Sequence, residues 1–137
     1  MKEIEYYVTE IDEFQKQAQR LTKKKRFKHL PGQIKELREE QLINGDFQGD
    51  LIRHSDNPTP YDVYKLRLPN PDTNVGKSNG YRIIYVVVTE HRIVVLLAIY
   101  YKKEQESLSD LYIDGLIDGY FFDSVPFDDE DKHNKKG

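Results

Sequence analysis

The stretch that decides the fold is YRIIYVVVTEHRIVVLLAIYY, residues 81–101. It holds two runs of β-branched and aromatic residues, 81–89 and 92–101, which are joined by Glu90-His91. Such residues are enriched in strands, and two runs joined by a short polar turn are typical of a β-hairpin. Because both runs are almost continuously apolar, the sequence predicts two central strands that are buried on both faces.

The same stretch does not predict a membrane span. Polar residues 89–92 divide it into two pieces of strand length, and each piece is too short to cross a bilayer. The chain begins with acidic residues, Glu3 and Glu5, where a secretion signal needs an apolar run, and it has no cysteine for a disulfide or a thiolate metal site. We therefore expect a cytoplasmic protein with no membrane partner.

Two further segments alternate between apolar and polar residues. Residues 2–8 predict a first strand. Residues 61–68 predict a strand whose apolar side chains share one face while Lys65 and Arg67 share the other. Residues 45–60 contain glycine and proline among polar residues and show no regular spacing of apolar residues. They predict a surface connection with no regular structure.

Helical spacing of apolar residues predicts three helices. The first runs from Ile11 to the lysine run at Lys23, the second from Pro31 to Asn44, and the third is a short helix over 108–117. The element order β-α-α-β-β-β-α predicts an α+β fold, a small antiparallel β-sheet backed by the two N-terminal helices. We expect one domain, 1–118, followed by an acidic, partly disordered tail, 119–137.

Charge is unevenly distributed along the chain. The formal net charge is −3 at pH 7, but seven acidic residues lie from Asp114 onward against three lysines, so the preceding body is near neutral. A dense basic run, KKKRFK at 23–28, lies within that body. Such a run predicts either a nucleic-acid contact, with Lys23 and Lys24 as binding residues, or a solvated helix end.

The residue patterns predict neither a metal site nor covalent catalysis. No two of the four histidines are three or four residues apart, which is the spacing that helical metal ligands need. No serine lies in a nucleophile-elbow sequence, and Gly76–Gly80 lacks the spacing of a phosphate-binding loop. We therefore expect no cofactor and no metal.

Cations on strands are the remaining chemical signal. An antiparallel sheet can bring them together as a concave positive site that needs no histidine. The alternative is that long cationic side chains simply extend to solvent at the rim of the sheet. The residues concerned are Lys65, Arg67, Arg82, Lys102 and Lys103.

Three segments carry a family resemblance. They are VYKLRL at 63–68, GKSNGYRIIY at 76–85 and IYYKKEQE at 99–106. The combination of Lys-x-Arg, Gly-Tyr-Arg and Tyr-x-Lys-x-Glu resembles the RelE/ParE toxin superfamily. It is most similar to the HigB-like branch, which has a longer loop containing glycine and lysine before the Gly-Tyr-Arg. In element order the resemblance covers residues 2–117.

The resemblance implies a toxin of a type II toxin–antitoxin system. Such a toxin is a ribosome-dependent mRNA endonuclease that inhibits translation and uses no metal. The concave face of its sheet binds mRNA, and the enzyme makes the 2′-hydroxyl attack the adjacent phosphate. The implied partners are a cognate antitoxin, expected to be a helix-turn-helix protein, and the ribosome with its mRNA.

The resemblance also implies site residues by position. Lys65 and Arg67 match paired basic residues of the second strand, and Lys65 is the candidate for proton transfer because arginine stays protonated. Arg82 matches a phosphate-contacting arginine that stabilises transition-state charge. Lys103 matches a basic residue near the leaving oxygen, where better-known members have arginine. The expected substrate-binding residues are Lys77, Lys102, Tyr112, Lys23 and Lys24.

The chain departs from the family pattern in its last helix. Ser109 stands where some members carry a stacking tyrosine, and Tyr112 lies three residues later. Two alternatives therefore stay open. One is a ParE-like module that inhibits DNA gyrase without cutting nucleic acid, although the basic set on the strands favours the nuclease. The other is a catalytically weak relative that only binds an antitoxin.

Overall fold

The protein is built on a five-stranded sheet with helices on both faces. The computed structural model describes residues 5–56, 59–73 and 79–124. None of the helices in these ranges has the length and apolar content that a membrane crossing requires. The elements are β1 (Tyr7–Glu10), α1 (Asp12–Lys23), α2 (Leu30–Glu36), β2 (Asp50–Ser55), β3 (Tyr61–Leu68), β4 (Tyr81–Val88), β5 (Ile93–Tyr101) and α3 (Asp110–Ser124).

The sheet has the strand order β1-β5-β4-β3-β2, and the predicted α+β class is confirmed. Strands β2 to β5 pair antiparallel, whereas β1 runs parallel to β5 with Tyr7 opposite Ile93. The prediction of a wholly antiparallel sheet is therefore wrong at this edge. Strand direction there depends on which distant strand β1 joins, and the local sequence of β1 does not determine that choice.

One strand was missed by the sequence pattern. β2 falls inside residues 45–60, for which we predicted no regular structure. It is an edge strand whose two apolar residues, Leu51 and Ile52, are adjacent and exposed. A register shift between Leu51 and Arg53 breaks the two-residue period on which a strand prediction depends.

The predicted hairpin is β4 and β5, and a 3₁₀ turn over Thr89–His91 joins its strands. All of β4 and all but the first residue of β5 are buried. One face packs against α1 and α2, and the other packs against α3. Burial on both faces, which the continuous apolar sequence predicted, is confirmed.

The second predicted helix begins as expected and changes geometry before it ends. α2 is followed by a π-helical turn (Leu37–Gln41) and a 3₁₀ turn (Leu42–Asn44). Gly45 then adopts φ +80°, the left-handed conformation that commonly stops helices. The predicted end at Asn44 is confirmed.

α3 is longer than the short helix predicted over 108–117, because it continues to Ser124. Tyr120 and Phe121 pack against the cluster between α3 and the sheet, and the Phe121 ring centroid lies 5.5 Å from that of Tyr61. These aromatic contacts stabilise the helix beyond residue 118, which we predicted to be the last residue before the tail. The remainder of the predicted tail, 125–137, lies outside the described residues.

Ion pairs join α3 to the edge strand β2. Arg53 donates a hydrogen bond to the Asp114 carboxylate, and its other amino group lies 3.5 Å from Asp110. Both aspartates belong to the first half of α3. The N-terminal half of α3 is therefore held beside the β2 edge of the sheet.

Gly80, the glycine of the Gly-Tyr-Arg segment, occupies a position with no room for a side chain. A Cβ built on it would lie 2.0 Å from the carbonyl oxygen of Leu68. The carbonyl oxygen of Gly80 accepts a 2.9 Å hydrogen bond from the backbone N–H of Lys102. The close approach fixes the start of β4 between the ends of β3 and β5.

Replacing this glycine is expected to destabilise the fold. Gly80→Ala should lower the free energy of unfolding by about 1–3 kcal/mol, because the new methyl group forces β3 away. The matched control is Gly115→Ala in α3, where a Cβ meets nothing within 4 Å and alanine should stabilise the helix by roughly 0.5–1 kcal/mol. Urea unfolding measures both changes. A Gly80→Ala chain as stable as the wild type would contradict the close approach.

Candidate functional site

Four side chains form a row across the α3 side of the sheet. Arg67 of β3 pairs with Arg82 of β4, and Arg82 pairs in turn with Tyr100 of β5. Directly opposed residues share a face of a sheet, and their Cβ atoms lie about 4.5–5.5 Å apart. Lys65 is two residues from Arg67 and so belongs to the same face. We call Lys65, Arg67, Arg82 and Tyr100 the cross-strand row.

Two guanidinium groups are neighbours in this row. Burial, and then the charge of Arg67, lower the pKa of Arg82, although an arginine remains protonated at neutral pH. Asp50 of β2 lies 3.1 Å from Arg67, but both side chains are half or more exposed, so this pair offsets little of the positive charge. Like charges held side by side attract an anion to this part of the sheet.

Arg82 is held in a defined orientation. Only 5% of its surface is exposed, and Nη1 donates a 3.3 Å hydrogen bond to the carbonyl oxygen of Tyr81. A planar guanidinium that is fixed in this way can present parallel N–H donors to phosphate oxygens. The predicted contact of Arg82 with a phosphate stays a prediction.

Tyr100 is the member of the row that the sequence analysis missed. Burial raises the pKa of its phenol, while Arg82 and Arg67 lower it. A protonated hydroxyl next to two arginines can donate a hydrogen bond or a proton to a bound anion. The signal was present in the sequence, because Tyr100 lies in the IYYKKEQE segment, but only the β4–β5 register shows that it faces Arg82.

A cavity of 210 Å³ adjoins the row. Lys65 and Tyr100 line it together with the first residues of α3 and the segment before them. Most of the other lining side chains are apolar: Ile52, Ile84, Leu108 and Ile113. The cavity gives Lys65 a partly desolvated position beside Tyr100.

The structure brings only part of the predicted site together. Lys102 and Lys103 lie in the turn that follows β5, and Lys102 Nζ is 3.4 Å from Glu106. Within the described ranges, no contact joins Lys103 to the cross-strand row. Its predicted role beside the leaving oxygen stays a prediction.

Lys23 and Lys24 lie in a different layer. They end α1, which packs on the opposite face of the sheet from the cross-strand row. Their predicted binding role therefore requires a ligand that reaches around the sheet. Lys77, the remaining predicted binding lysine, lies outside the described residues.

Tyr112 lies on α3 and faces α1. Burial raises the pKa of its phenol, and the negative charge of the neighbouring Glu13 raises it further. Tyr112 lines a second, larger cavity that shares Tyr100 and Leu108 with the smaller one. In the part of the chain that the structure describes, no three His, Asp or Glu side chains cluster closely enough to hold a metal ion.

No protein-family model and no curated protein sequence matches the chain. Solved structures do match it. Among them are structures of RelE toxins, free or in complex with an antitoxin. The isolated E. coli RelE toxin is 19% identical and the match covers 81% of this chain and 95% of that one, with a TM-score of 0.45.

Two further matches are of the same kind. The toxin–antitoxin complex RelBE2 from Mycobacterium tuberculosis is 15% identical over 73% of this chain and 94% of that one, with a TM-score of 0.44. A mutant of the E. coli RelE toxin in the free state is 22% identical. The match covers 75% of this chain and 90% of that one, with a TM-score of 0.43. The chain is thus similar to RelE toxins, and no match singles out the HigB-like branch.

The titration of Tyr100 tests the geometry of the row. Because burial raises its pKa, the phenolate absorbance that Tyr100→Phe removes should be less than half developed at pH 10, where an exposed tyrosine is about half ionised. Arg82→Met should move this ionisation to still higher pH, because Arg82 lowers the pKa. A Tyr100 phenol that is half or more ionised at pH 10 in the wild type would contradict the arrangement.

Proposed function

We propose that this chain is the toxin of a type II toxin–antitoxin system and cleaves mRNA on the ribosome without a metal. The observation that supports this proposal is the cross-strand row, in which Arg67 and Arg82 lie side by side with Lys65 and Tyr100 on one face. The row offers charge stabilisation and proton-transfer groups within one site. These are the requirements for attack of a ribose 2′-hydroxyl on the adjacent phosphate.

Each member of the row has a proposed role. Arg82 and Arg67 bind the phosphate oxygens and stabilise the charge of the pentacoordinate transition state. Lys65, in its neutral amine form, takes the proton from the 2′-hydroxyl, because the arginines stay protonated and cannot accept it. The 5′-oxygen that leaves must gain a proton, and Tyr100 is the hydroxyl in the row that can donate it. Lys103 keeps the role implied by the family resemblance, a contact to this oxygen.

The proposed partners follow from the proposed cleavage of mRNA on the ribosome. The ribosome presents the mRNA, and Lys102 with the predicted binding lysines contacts its backbone. A cognate antitoxin, proposed to be a helix-turn-helix protein, holds the toxin inactive. The site of action is proposed to be the cytoplasm, where ribosomes and mRNA are found.

One observation favours the second candidate, a weakly active relative that mainly binds an antitoxin. Tyr112 lies beside Glu13 in the lining of the larger cavity and does not belong to the cross-strand row. Ser109 uses its own hydroxyl to accept a hydrogen bond from the backbone N–H of Tyr112 at 3.1 Å. Neither residue therefore takes the place of a tyrosine at the row, and proton transfer would depend on Lys65 and Tyr100.

Induced expression tests the proposal. The wild-type chain is expected to stop growth and the incorporation of labelled methionine into protein. Arg82→Ala and Lys65→Gln should relieve the arrest, since losing one transition-state-stabilising group costs about a hundredfold or more in rate. Circular dichroism melting shows whether each variant is folded. Because Arg82 is buried and its replacement could prevent folding, Lys65→Gln provides a second test of the same site.

Lys24→Ala is the matched control, because Lys24 lies in the other layer, and this variant should remain toxic. Healthy growth with verified soluble wild-type protein would contradict the toxin proposal. If Arg82→Ala and Lys65→Gln remained fully toxic while Lys24→Ala did not, the active surface would lie on α1 instead.

A further inference from the structure

The cavity that Tyr112 lines has no role in the proposed cleavage step. Its volume is 540 Å³, within the range of about 300–1,000 Å³ that is usual for small-molecule sites. It lies between α1, the end of β5 and the start of α3. Its position beside the cross-strand row makes it a candidate site for a part of the substrate that the row does not hold.

Hydrogen bonds order one wall of this cavity. The Glu13 carboxylate accepts a 3.1 Å hydrogen bond from the side-chain amide of Gln17, and Tyr112 lines the same cavity. The Gln17 oxygen accepts from Arg20 Nε at 3.2 Å, and Arg20 Nη2 in turn lies 2.7 Å from Glu104. The wall is therefore a chain of oriented donors and acceptors. Such a chain is preorganised to recognise a polar edge.

Apolar and aromatic side chains form another part of the lining. Ala98, Ile99 and Leu108 line the cavity, with the rings of Tyr100 and Tyr112. An aromatic ring can stack on a planar heterocycle, and such stacking contributes about 1–3 kcal/mol per nucleobase. A polar wall facing an apolar one suits a flat ligand with hydrogen-bonding groups on its edge.

The two cavities meet at a common wall. Tyr100 and Leu108 line both the 540 Å³ cavity and the 210 Å³ cavity that contains Lys65. A ligand whose phosphate lies on the cross-strand row therefore has the larger cavity as its neighbour. In RNA, the group next to a phosphate that can fill such a cavity is the nucleobase.

We propose that the cavity between α1, β5 and α3 binds a nucleobase that flanks the phosphate held by the row, and that Glu13 selects a base with an exocyclic amino group. This inference rests on the proposed function. A carboxylate has about four acceptor sites, and the hydrogen bond from Gln17 to Glu13 leaves room for further donors. Cytosine offers an amino donor where uracil offers a carbonyl oxygen, which a carboxylate repels.

The charges of the cavity favour a base over a phosphate. Glu13 and Glu104 both line it, and Arg20 and Lys25 pair with Glu104 at 2.7 and 3.3 Å. The two cations and two carboxylates balance in formal charge, but both cations lie at Glu104, and none of the ion pairs among the described residues involves Glu13. A phosphate beside Glu13 would be repelled by this carboxylate and drawn to the cross-strand row. The arrangement separates the charged and the uncharged parts of one nucleotide.

Cytidine and uridine 3′,5′-bisphosphates are a suitable pair of probes, because they differ in the 4-position of the base and carry phosphate on both sides. NMR titration of the full chain should show that the cytidine probe binds about tenfold tighter, as expected for one added hydrogen bond to a charged acceptor. The side-chain amide signals of Gln17 and Gln105 should shift, since both residues line the cavity. Glu13→Gln should bring the two affinities to within about twofold, because an amide can also donate to uracil.

Glu36→Gln is the matched control: Glu36 is exposed at the end of α2, and the preference for cytidine should survive this change. Arg82→Met should weaken both probes by a similar factor, because it acts on the phosphate. Equal affinity of the two probes for the wild type, or binding that leaves the Gln17 and Gln105 amides unshifted, would overturn the base pocket. So would a preference that persists in Glu13→Gln, or the absence of binding at millimolar concentration. None of these results would by itself overturn mRNA cleavage, which the growth experiment tests separately.

Discussion

Burial of the β4–β5 hairpin on both faces is the constraint on which the rest of the structure depends. Each Val, Leu, Ile or Phe side chain that is fully buried contributes about 1.5–3 kcal/mol relative to an exposed one. The hairpin contributes such side chains to both faces of the sheet, and neither face can be left to water. α1 and α2 cover one face, and α3 must cover the other.

The same hairpin positions the candidate site. The apolar side chains of α3 belong to one cluster with Val63, Val86 and Val95, and Tyr100 of the cross-strand row is part of this cluster. The β4–β5 register places Tyr100 on the α3 side of the sheet, opposite Arg82. A register shift between Ile84 and Tyr85 lets both Leu97 and Ala98 join the cluster under α3. The same hairpin therefore supplies the core and two of the four residues of the row.

The sequence alone predicted the structure correctly where buried residues recur with a simple period. It predicted the central hairpin, the Lys65 and Arg67 face of β3 and the end of the second helix at Asn44, because these features depend on local patterns. It missed β2, whose register shift and exposed apolar residues remove the period. It also misplaced the end of α3, where Phe121 packs on Tyr61 of a distant strand. The direction of β1 and the place of Tyr100 in the row depend on strand pairing, which no single segment encodes.

The central claim is that the cross-strand row cuts mRNA presented by a ribosome. Primer extension on one mRNA, incubated with purified chain in a reconstituted translation reaction and in buffer alone, tests it most directly. The account predicts new 5′ ends only when ribosomes occupy the message, and their loss with Lys65→Gln. Cuts of equal efficiency in naked RNA would contradict ribosome dependence. An uncut message on translating ribosomes, with folded wild-type protein in excess, would contradict the assignment of the row as a nuclease site.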